Sequence, residues 1–565
     1  MKEDRMYQTQ RIRDIFLQII VFLCVLNMFT GCNQVSTVEE TDYQGKSQES
    51  AIEVGQNIPK INIHLDSVTL EEINSVSKHI KYGGNKVSLI IDEQEYMYDN
   101  VQIRGRGNAT WLWKKKPYQL QFADEIDLFD LGTAKRWVLL ANYRDVSLLR
   151  NETAFYLATA LGERCAKPGR FVELYVDDSY IGLYYLCHKV EIGASRLSLQ
   201  DELGVLVEIE ACYKPEEIHA YSQYSKTCLG LFDAVKNGNE YLSRVALDSF
   251  VEAFDRLEYA AMQGDWDAVK KEIDVESFVR YFLVNEFAAN PDGFVTSYYM
   301  YRDGEMDVIH AGPIWDFDMA FSNLKYSGGD ATSANRSWAY ADPRDLLEGQ
   351  EHLVTELFLY LMDIPEFRKE VESMYDVAFR DAAKNITSHL YDVAEEIFEA
   401  ALKDQETWHT NSTFSCDLER LTDWIEQRQV YMDILYGSRM EIEDGVYVIS
   451  LCNQSKENTM LVSNDKVTKK WFFEAQEDGS YKICSKDKSL VLSLENEDSI
   501  FEGERVVWKV DNGSNGQRWF LANDVDGKVL ISKLTGLVLS FSEDMTEMKV
   551  HEYQNHHGQN IYMSD

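Results

Sequence analysis

The sequence is poor in basic residues for its length. Lysine and arginine together number 56 against 95 aspartates and glutamates, which gives a formal net charge of −39 over 565 residues. Proteins that bind nucleic acid present basic patches to it, so this balance argues against nucleic-acid binding. It favours soluble behaviour and partners with basic character.

Metal-binding cysteine motifs and complete phosphate-binding loops are also missing. The nine cysteines show no CxxC spacing, so they indicate neither a zinc site nor a regular disulfide framework. Gly105 and Gly107 would allow the backbone to approach a phosphate closely, but no third glycine follows at Walker or Rossmann spacing. The glycine pattern alone is therefore a weak signal for nucleotide binding.

The first 57 residues have the layout of an export signal and a tether. Residues 1–31 combine a basic start with a short apolar run, and Phe29-Thr-Gly-Cys32 is similar to a bacterial lipobox. Cys32 would then carry the lipid and hold the exported protein at the outer face of the cell membrane. An uncleaved signal anchor is the alternative. Residues 32–57 are polar and acidic, which predicts a flexible linker.

Two folded regions are predicted after the linker, and the chain as a whole is assigned to the α+β class. Residues 58–437 begin with alternating strand-like runs and change to helical spacing from about residue 247. Residues 443–565 contain three similar openings at 445, 479 and 527. Threefold repetition of short strands predicts a closed all-β module, with a plain β-sandwich as the alternative.

The segment Gly312-Pro-Ile-Trp-Asp-Phe-Asp-Met-Ala-Phe321 carries two acids in an apolar setting. If the segment is extended, Asp316 and Asp318 point to the same side. Paired carboxylates beside Trp315 and Phe317 are costly unless a cation lies between them. Oxygen ligands suit Mg²⁺, with Mn²⁺ as the alternative. Two solvated aspartates at the end of a strand are the other interpretation.

A lysine is expected on the buried face of a strand further upstream. In the predicted strand 114–122, Lys116 shares a face with Tyr118, Leu120 and Phe122, whereas Lys115 lies on the opposite face. A buried lysine needs an anionic partner, which is either a nucleotide phosphate or a structural carboxylate.

The order of elements around the acidic pair follows that of protein kinases. A helix capped by Asp274 leads to Asp292, a short hairpin with an Asp303-Gly304 turn follows, and the chain then reaches Asp316. Protein kinases place the catalytic-loop aspartate and the metal-binding DFG aspartate in this order. The HRD and VAIK signatures are absent, so a kinase of this sequence is an atypical one.

Several motifs together resemble the CotH kinase family, the spore-coat protein H type of atypical protein kinase. The resemblance spans roughly residues 60–435 and rests on Arg104-Gly-Arg-Gly-Asn-Ala-Thr-Trp111, Lys115-Lys-Pro-Tyr118, Trp137-Val-Leu-Leu-Ala-Asn-Tyr143, Ser147-Leu-Leu-Arg-Asn151 and Gly312-Pro-Ile-Trp-Asp-Phe-Asp318. It implies a two-lobed kinase-like fold and ATP- and Mg²⁺-dependent phosphorylation of serine in secreted or coat proteins.

The resemblance also implies roles for individual residues. Lys116, Arg104 and Arg106 would bind the nucleotide, and Asp292 would be the catalytic aspartate of the catalytic loop. Asp316 would bind Mg²⁺, with Asp318 as the second or supporting ligand. The sequence departs from the expected pattern at two places: Ser297 stands where protein kinases carry a metal-binding asparagine, and His188 stands where many relatives have glutamate.

The C-terminal repeats resemble a ricin-type β-trefoil, whose hallmark is Gln-x-Trp. Gln517-Arg-Trp519 keeps the motif intact, whereas Ser493 and Ser540 stand where sugar-binding trefoils usually carry aspartate. The resemblance implies a glycan as a partner of this region, whereas the two serines argue against a working sugar-binding site.

The leading functional hypothesis is an exported, lipid-anchored kinase that transfers the γ-phosphate of ATP to serine or threonine of surface or coat proteins. The expected partners are ATP, a protein with serine acceptors, a glycan and the membrane, but no nucleic acid. The alternative is a non-catalytic carbohydrate-binding, adhesion or envelope protein that uses the kinase-like fold as a scaffold.

Overall fold

The computed structural model describes most of the chain from residue 58 onwards. The predicted signal segment, Cys32 and the predicted linker lie outside the described residues. The described ranges are 58–163, 165, 168–209, 218–294, 296–323, 333–335, 356–410, 412–451, 469–485, 487–497, 501–542, 546–554 and 558–564.

A closed seven-stranded barrel forms the first part of the fold. Its strands follow the order β1-β2-β3-β4-β5-β7-β6, and the parallel pairing of β1 with β6 closes it. Helix α1 (Leu70–Ser75) lies between the first two strands and begins with a capping box formed by Thr69 and Glu72. The strands are β1 (Lys60–His64), β2 (Tyr82–Ile91), β3 (Gln94–Gly105), β4 (Tyr118–Asp127), β5 (Thr133–Leu140), β6 (Arg170–Val176) and β7 (Ser179–His188).

Alternation along the strands fills the barrel with apolar side chains. Tyr118, Leu120 and Phe122 of β4 all point inwards and meet Trp137 of β5, which is completely buried. Helix α2 (Arg150–Ala160) lies between β5 and β6 and is buried along most of its length. The interior is therefore a packed core.

A five-stranded sheet follows the barrel in the order β12-β11-β8-β10-β9. Strands β11 and β12 form the predicted hairpin, in which Met300 pairs with Ala311, and Gly304 has the positive φ of 88° that its turn needs. The strands are β8 (Gly204–Ile209), β9 (His219–Tyr221), β10 (Cys228–Ala234), β11 (Tyr298–Asp303) and β12 (His310–Ala311).

Among the described residues, seven further helices follow the barrel in sequence and pack against this sheet, the barrel or one another. Asn239, Asp265, Asp274 and Thr413 accept backbone N–H bonds at the starts of α3, α4, α5 and α9, as expected of N-cap residues. None of the described helices is long and apolar enough to cross a membrane. They are α3 (Glu240–Met262), α4 (Trp266–Glu272), α5 (Val275–Ala288), α6 (Leu357–Asp363), α7 (Pro365–Met374), α8 (Arg380–Trp408) and α9 (Phe414–Met432).

Helix α8 packs against the outside of the barrel and connects the helical part to it through ion pairs and a hydrogen bond. Lys115 is 1% exposed, and its Nζ lies 2.8 Å from Oδ1 of Asp404 and 2.6 Å from the carbonyl of Leu183. Lys403 pairs with Glu173 at 2.6 Å, and the Trp408 indole donates to the Ile181 carbonyl. The buried Lys115–Asp404 pair fixes the position of α8 on the barrel, because separating its members would leave a buried charge without its counter-ion.

The C-terminal region is a separate set of short strands. Strands β13, β14, β15, β18, β19 and β22 pair in a closed ring, and the hairpins β16–β17 and β20–β21 are attached to it. Trp519 is buried in the core of this ring, and its indole donates to the Leu492 carbonyl. The strands are β13 (Gly445–Leu451), β14 (Lys469–Ala475), β15 (Tyr481–Cys484), β16 (Val491–Leu494), β17 (Val506–Lys509), β18 (Trp519–Asp524), β19 (Gly527–Ser532), β20 (Val538–Phe541), β21 (Met548–His551) and β22 (Ile561–Ser564).

This C-terminal region packs directly on the helices. The ring of Phe520 lies 3.6 Å from the guanidinium of Arg439 and 5.3 Å from that of Arg368. The Tyr431 hydroxyl of α9 donates to the Gly536 carbonyl, and Ser333 donates to Glu552 at 2.6 Å. The contacts include the segment that follows the acidic motif.

The predicted α+β composition is confirmed, together with a strand-rich first part and a helical second part. The two-lobed kinase arrangement and the β-trefoil remain predictions. One strand prediction is wrong at its start. Strand β4 begins at Tyr118, so Lys116 lies before the strand, and Lys115 is the fully buried lysine.

Candidate active site around Asp316 and Asp318

The acidic motif lies in an irregular loop, which corrects the expectation of an extended segment. Strand β12 ends at Ala311, and Asp316 has a φ of 68°, in the left-handed region that few residues other than glycine adopt. Phe317 is completely buried and holds the loop in the core. Backbone strain at a residue of this kind is common in functional sites, where the surrounding packing enforces it.

The carboxyl groups of Asp316 and Asp318 nevertheless interact directly. Burial raises the pKa of Asp318 to about 8, and the neighbouring carboxylates of Asp316 and Asp145 add to the rise. Arg106 opposes this rise but does not cancel it. At neutral pH the Asp318 side chain is therefore mostly protonated.

The start of α2 holds the motif from the barrel side. Asn151 accepts a hydrogen bond from the backbone N–H of Phe317 at 3.1 Å. Arg150 is buried and ion-paired with Asp145, and its Nε donates to the Ala320 carbonyl at 3.1 Å. Residues from the Ser147–Asn151 motif thus support the loop on both sides of Asp318.

The end of α5 holds the motif from the other side. The backbone N–H of Phe321 donates to the Ala288 carbonyl at 2.7 Å, which places the motif beside the loop that contains Asp292. In this loop the Asp292 N–H donates to the side chain of Asn290, and Asp292 is half-buried. Five residues later, the Ser297 hydroxyl donates to Oδ2 of Asp316 at 3.1 Å. The loop that contains Asp292 and the loop that contains Asp316 are therefore in direct contact.

The loop offers oxygen atoms of the type that a hard divalent cation prefers. Asp316 and Asp318 supply carboxylate oxygens, and Ser297 adds a hydroxyl. In the part of the chain that the structure describes, no group of three or more His, Cys, Asp or Glu side chains is arranged to hold a metal. Mg²⁺ is commonly held by one or two carboxylates, with water and substrate phosphates completing its coordination.

Of the three predicted nucleotide-binding cations, Arg106 lies next to the acidic pair. Its guanidinium lies over the Trp315 ring at 5.3 Å, and its charge acts on Asp318. Arg104 donates to Gln119 at 2.9 Å on the adjacent strand. Lys116 donates to the carbonyls of Trp111 at 2.6 Å and Trp113 at 3.4 Å, within its own loop.

The glycines of the Arg104–Trp111 motif accommodate their own loop. A Cβ atom at Gly105 would lie 2.4 Å from the Trp111 ring, and one at Gly107 would lie 1.8 Å from the Thr110 hydroxyl. Gly107 also has a φ of 78°. Local packing therefore accounts for both glycines without a phosphate.

Sequence analysis singled out Arg104 and Arg106 but missed three further cations that lie close to them, Arg136, Lys189 and Arg196. The basic cluster, as we call it, lies at the end of β3 and just after it, on β5 and in the segment after β7. Each of its members acts electrostatically on another member or on the neighbouring Glu191 or Cys187. The available signal was the presence of charged residues within otherwise buried strands. The basic cluster consists of Arg104, Arg106, Arg136, Lys189 and Arg196.

Comparison with known proteins adds the family. The model of the CotH kinase protein family matches residues 103–432, which is more than half of the chain. The chain belongs to the CotH kinase protein family. This family region includes every predicted site residue except Cys32.

One curated relative is the inner spore coat protein H of Bacillus subtilis (strain 168). It is 23% identical over 299 residues, which cover 49% of this chain and 76% of the relative. The aligned part is therefore most of the relative's length.

Solved structures match a smaller share of this CotH-family chain. A designed threefold symmetric protein, ThreeFoil, is 21% identical and covers 22% of this chain and 99% of its own, with a TM-score of 0.18. A Polyporus squamosus lectin is 18% identical over 22% of this chain and 50% of its own, also with a TM-score of 0.18. Similarities of this size support no conclusion about function.

Proposed function

We propose that the protein is an atypical protein kinase that transfers the γ-phosphate of ATP to serine or threonine of coat or surface proteins. The observation that carries the proposal is the contact between the Asp316 and Asp318 carboxyls beside Ser297 and Arg106. Two carboxyl groups that lie close together in a partly buried loop are stabilised by a divalent cation, and that cation can in turn bind an anionic ligand. Membership of the CotH kinase family supports the same chemistry.

In this proposal, Asp316 and Asp318 hold Mg²⁺. A Mg²⁺ ion held there would supply positive charge to the nucleotide phosphates and to the charge that develops during transfer. Ser297 keeps the Asp316 carboxylate turned towards the loop of Asp292. Arg106 adds positive charge at the phosphate side.

Asp292 orients the acceptor hydroxyl and takes its proton as the oxygen attacks the γ-phosphorus. The bond between the γ-phosphorus and the bridging oxygen breaks, and the electron pair leaves with ADP. Lys116 and Arg104 are kept as candidate nucleotide contacts from the resemblance. Location at the cell surface or in a coat, with a lipid on Cys32, belongs to the same proposal.

The test is transfer of labelled phosphate from ATP to a Ser- and Lys-rich acceptor protein, with the purified chain that follows Cys32 and Mg²⁺. We expect Asp292→Asn and Asp316→Asn to lower the rate by at least about 100-fold, the usual scale for losing a proton-transfer or charge-stabilising group. Asp248, exposed on α3, provides the matched control: Asp248→Asn should transfer like the wild type.

Absence of transfer by the wild type would overturn the proposal. So would equal transfer by Asp316→Asn and the wild type. Binding of glycans that survives Asp316→Asn, without any transfer, would favour the non-catalytic alternative.

A further inference from the structure

A cleft with a volume of about 420 Å³ opens in the C-terminal region. Its lining comes from β14, β17 and β21 and from the residues directly before β17 and β21. Clefts of this size commonly hold small ligands or single side chains of a bound peptide. Among the described residues that line it, none belongs to the candidate active site.

Most of the charged residues that line this cleft are basic. Each of the three sequence repeats contributes one cation: Lys469 from the first, Arg505 from the second and Lys549 from the third. Arg505 and Lys549 are neighbours, because an antiparallel backbone bridge joins them. Glu547 is the one acid among the described lining residues. In a chain with a net charge of −39, three cations around one cleft favour an anionic ligand.

These cations are available to a ligand. Arg505 pairs with Glu495 at 3.3 Å, and the two side chains are 65% and 48% exposed. Exposed ion pairs contribute little to stability, so the guanidinium can exchange this partner for another anion. The side chains of Lys469 and Lys549 form no ion pair within the part of the chain that the structure describes.

Apolar side chains form the rest of the lining. Trp471 is 4% exposed and meets the half-buried Trp508 edge to face, with the ring centres 5.9 Å apart. Val506 is buried, and Met548 is half-buried. A ligand that matches this cleft therefore combines an anionic group with an adjoining apolar part.

The cleft is separate from the positions at which sugar-binding trefoils usually carry aspartate. Ser493 is completely buried and donates to the Leu494 carbonyl at 2.8 Å. Ser540 is also buried and accepts a hydrogen bond of 3.1 Å from Gln559. Neither serine lines the cleft.

Strand β21 connects the cleft to the segment that follows the acidic motif. Three residues after Lys549, the Glu552 carboxylate accepts a hydrogen bond of 2.6 Å from Ser333. The N–H of Tyr553 then donates to the Asn335 carbonyl at 3.1 Å. The cleft thus shares a strand with the contact to the CotH-family region, which favours a ligand that is part of a protein acceptor.

We propose that this cleft binds a phosphoserine side chain of an acceptor protein that is already phosphorylated. The assignment rests on the proposed kinase function, because phosphoserine is the product of that reaction. A phosphoserine carries a charge of about −1.5 to −2 at pH 7, so it gains more from three cations than a singly charged carboxylate does. Binding of the modified serine would retain an acceptor with several serines for the next transfer.

The test measures binding of a short fluorescent peptide to the purified chain that follows Cys32. The peptide carries one phosphoserine beside a leucine and no other charged side chain, and the same peptide with serine is the comparison. We expect the phosphopeptide to bind at least about tenfold more tightly. Lys549→Gln and Arg505→Gln should each weaken it about tenfold, as for a lost charge-assisted contact. Lys549→Arg, which keeps the charge, should recover part of the affinity.

Lys470→Gln is the matched control, because Lys470 is exposed, adjoins Lys469 and does not line the cleft. It should bind the phosphopeptide like the wild type. Thermal unfolding of each variant shows whether it is folded, and Arg505→Gln carries the comparison if Lys549→Gln is not.

Equal affinity of the wild type for the two peptides would overturn the inference, as would equal losses of affinity in Lys470→Gln and Lys549→Gln. A glucuronic acid disaccharide is the competing ligand. If it displaces the phosphopeptide at a lower concentration than free phosphoserine does, the cleft is a site for an acidic sugar and the inference is wrong.

Failure of this inference is distinguishable from failure of the kinase proposal, because the peptide is phosphorylated by synthesis and the binding assay contains no ATP. Phosphopeptide binding that depends on Lys549, without transfer by the wild type, would refute the kinase proposal alone. Transfer by a wild type that binds both peptides equally would refute this inference alone.

Discussion

The Ser297 hydroxyl donates a hydrogen bond of 3.1 Å to Oδ2 of Asp316. Both residues have left-handed backbones, with φ values of 50° and 68°. Ser297 belongs to the loop of Asp292, so this bond joins the proposed catalytic loop to the proposed metal ligand. A protein kinase carries a metal-binding asparagine at the place of Ser297, and here a shorter side chain orients the carboxylate instead.

Asp318→Asn should make the cation-free protein more stable at alkaline pH. The pKa of Asp318 is raised to about 8 in the folded protein by burial and by Asp316, against about 4 in an unfolded chain. The stability that protonated Asp318 contributes is therefore complete below pH 4 and is lost as pH rises through 8. Asparagine keeps a neutral side chain at every pH.

The measurement is thermal unfolding of both proteins in chelator from pH 5 to pH 9, repeated with Mg²⁺. The wild type should lose stability relative to Asp318→Asn as pH rises, and Mg²⁺ should restore the wild type only. Parallel curves at all pH values would contradict the raised pKa.

Lys115→Met should be strongly destabilising, because it leaves the buried carboxylate of Asp404 without its partner. Removing one member of a buried ion pair typically costs about 3–5 kcal/mol. Lys116→Met removes hydrogen bonds to two carbonyls and should cost about 1 kcal/mol, the usual net value of a hydrogen bond. Urea denaturation of the two variants measures both free energies of unfolding, and equal losses would refute the assignment of the buried lysine.

Phe520→Ala should destabilise the helical part as well as the C-terminal region. The Phe520 side chain is 2% exposed and lies between Arg368 and Arg439. Loss of a buried phenylalanine costs about 3–5 kcal/mol. Hydrogen exchange should then show faster exchange in α7 and in β18, whereas Val525→Ala, at a residue that is 91% exposed, should change neither. Faster exchange confined to β18 would show that the contact does not stabilise the helices.

The order of elements near the acidic motif was predictable because its signals are local. Asp274 caps α5, the helix ends before Asp292, and the Asp303-Gly304 turn closes the β11–β12 hairpin. Each of these features depends on neighbouring residues, and short loops limit where the chain can go next. The meeting of Asp292's loop with Asp316 follows from that order.

Which of the adjacent residues Lys115 and Lys116 is buried was not predictable, because burial depends on a partner far away in the sequence. Asp404 lies 289 residues after Lys115, and no local pattern connects them. The period-2 alternation predicts that β4 begins at residue 114, four residues before its observed start at Tyr118. In the segment before β4 the Trp111 ring packs on Gly105, and the chain is not yet a strand. A shift of that kind decides which of two adjacent lysines is buried.

The basic cluster was not predictable for the same reason, because its members are far apart in the sequence. Arg104, Arg136 and Lys189 come from three parts of the barrel wall that only the strand order brings together. Arg136 looked like one of many charges in the sequence. Its proximity to Glu191 becomes visible only once β5 is paired with β7.

The most direct test of the central claim is the affinity for ATP with and without Mg²⁺, measured by calorimetry on the wild type and on Asp316→Asn. If Asp316 and Asp318 form a divalent-cation site that receives a nucleotide, Mg²⁺ should tighten ATP binding by the wild type at least about tenfold and leave Asp316→Asn unchanged. An equal effect of Mg²⁺ on both proteins, or no ATP binding by the wild type, would contradict the claim.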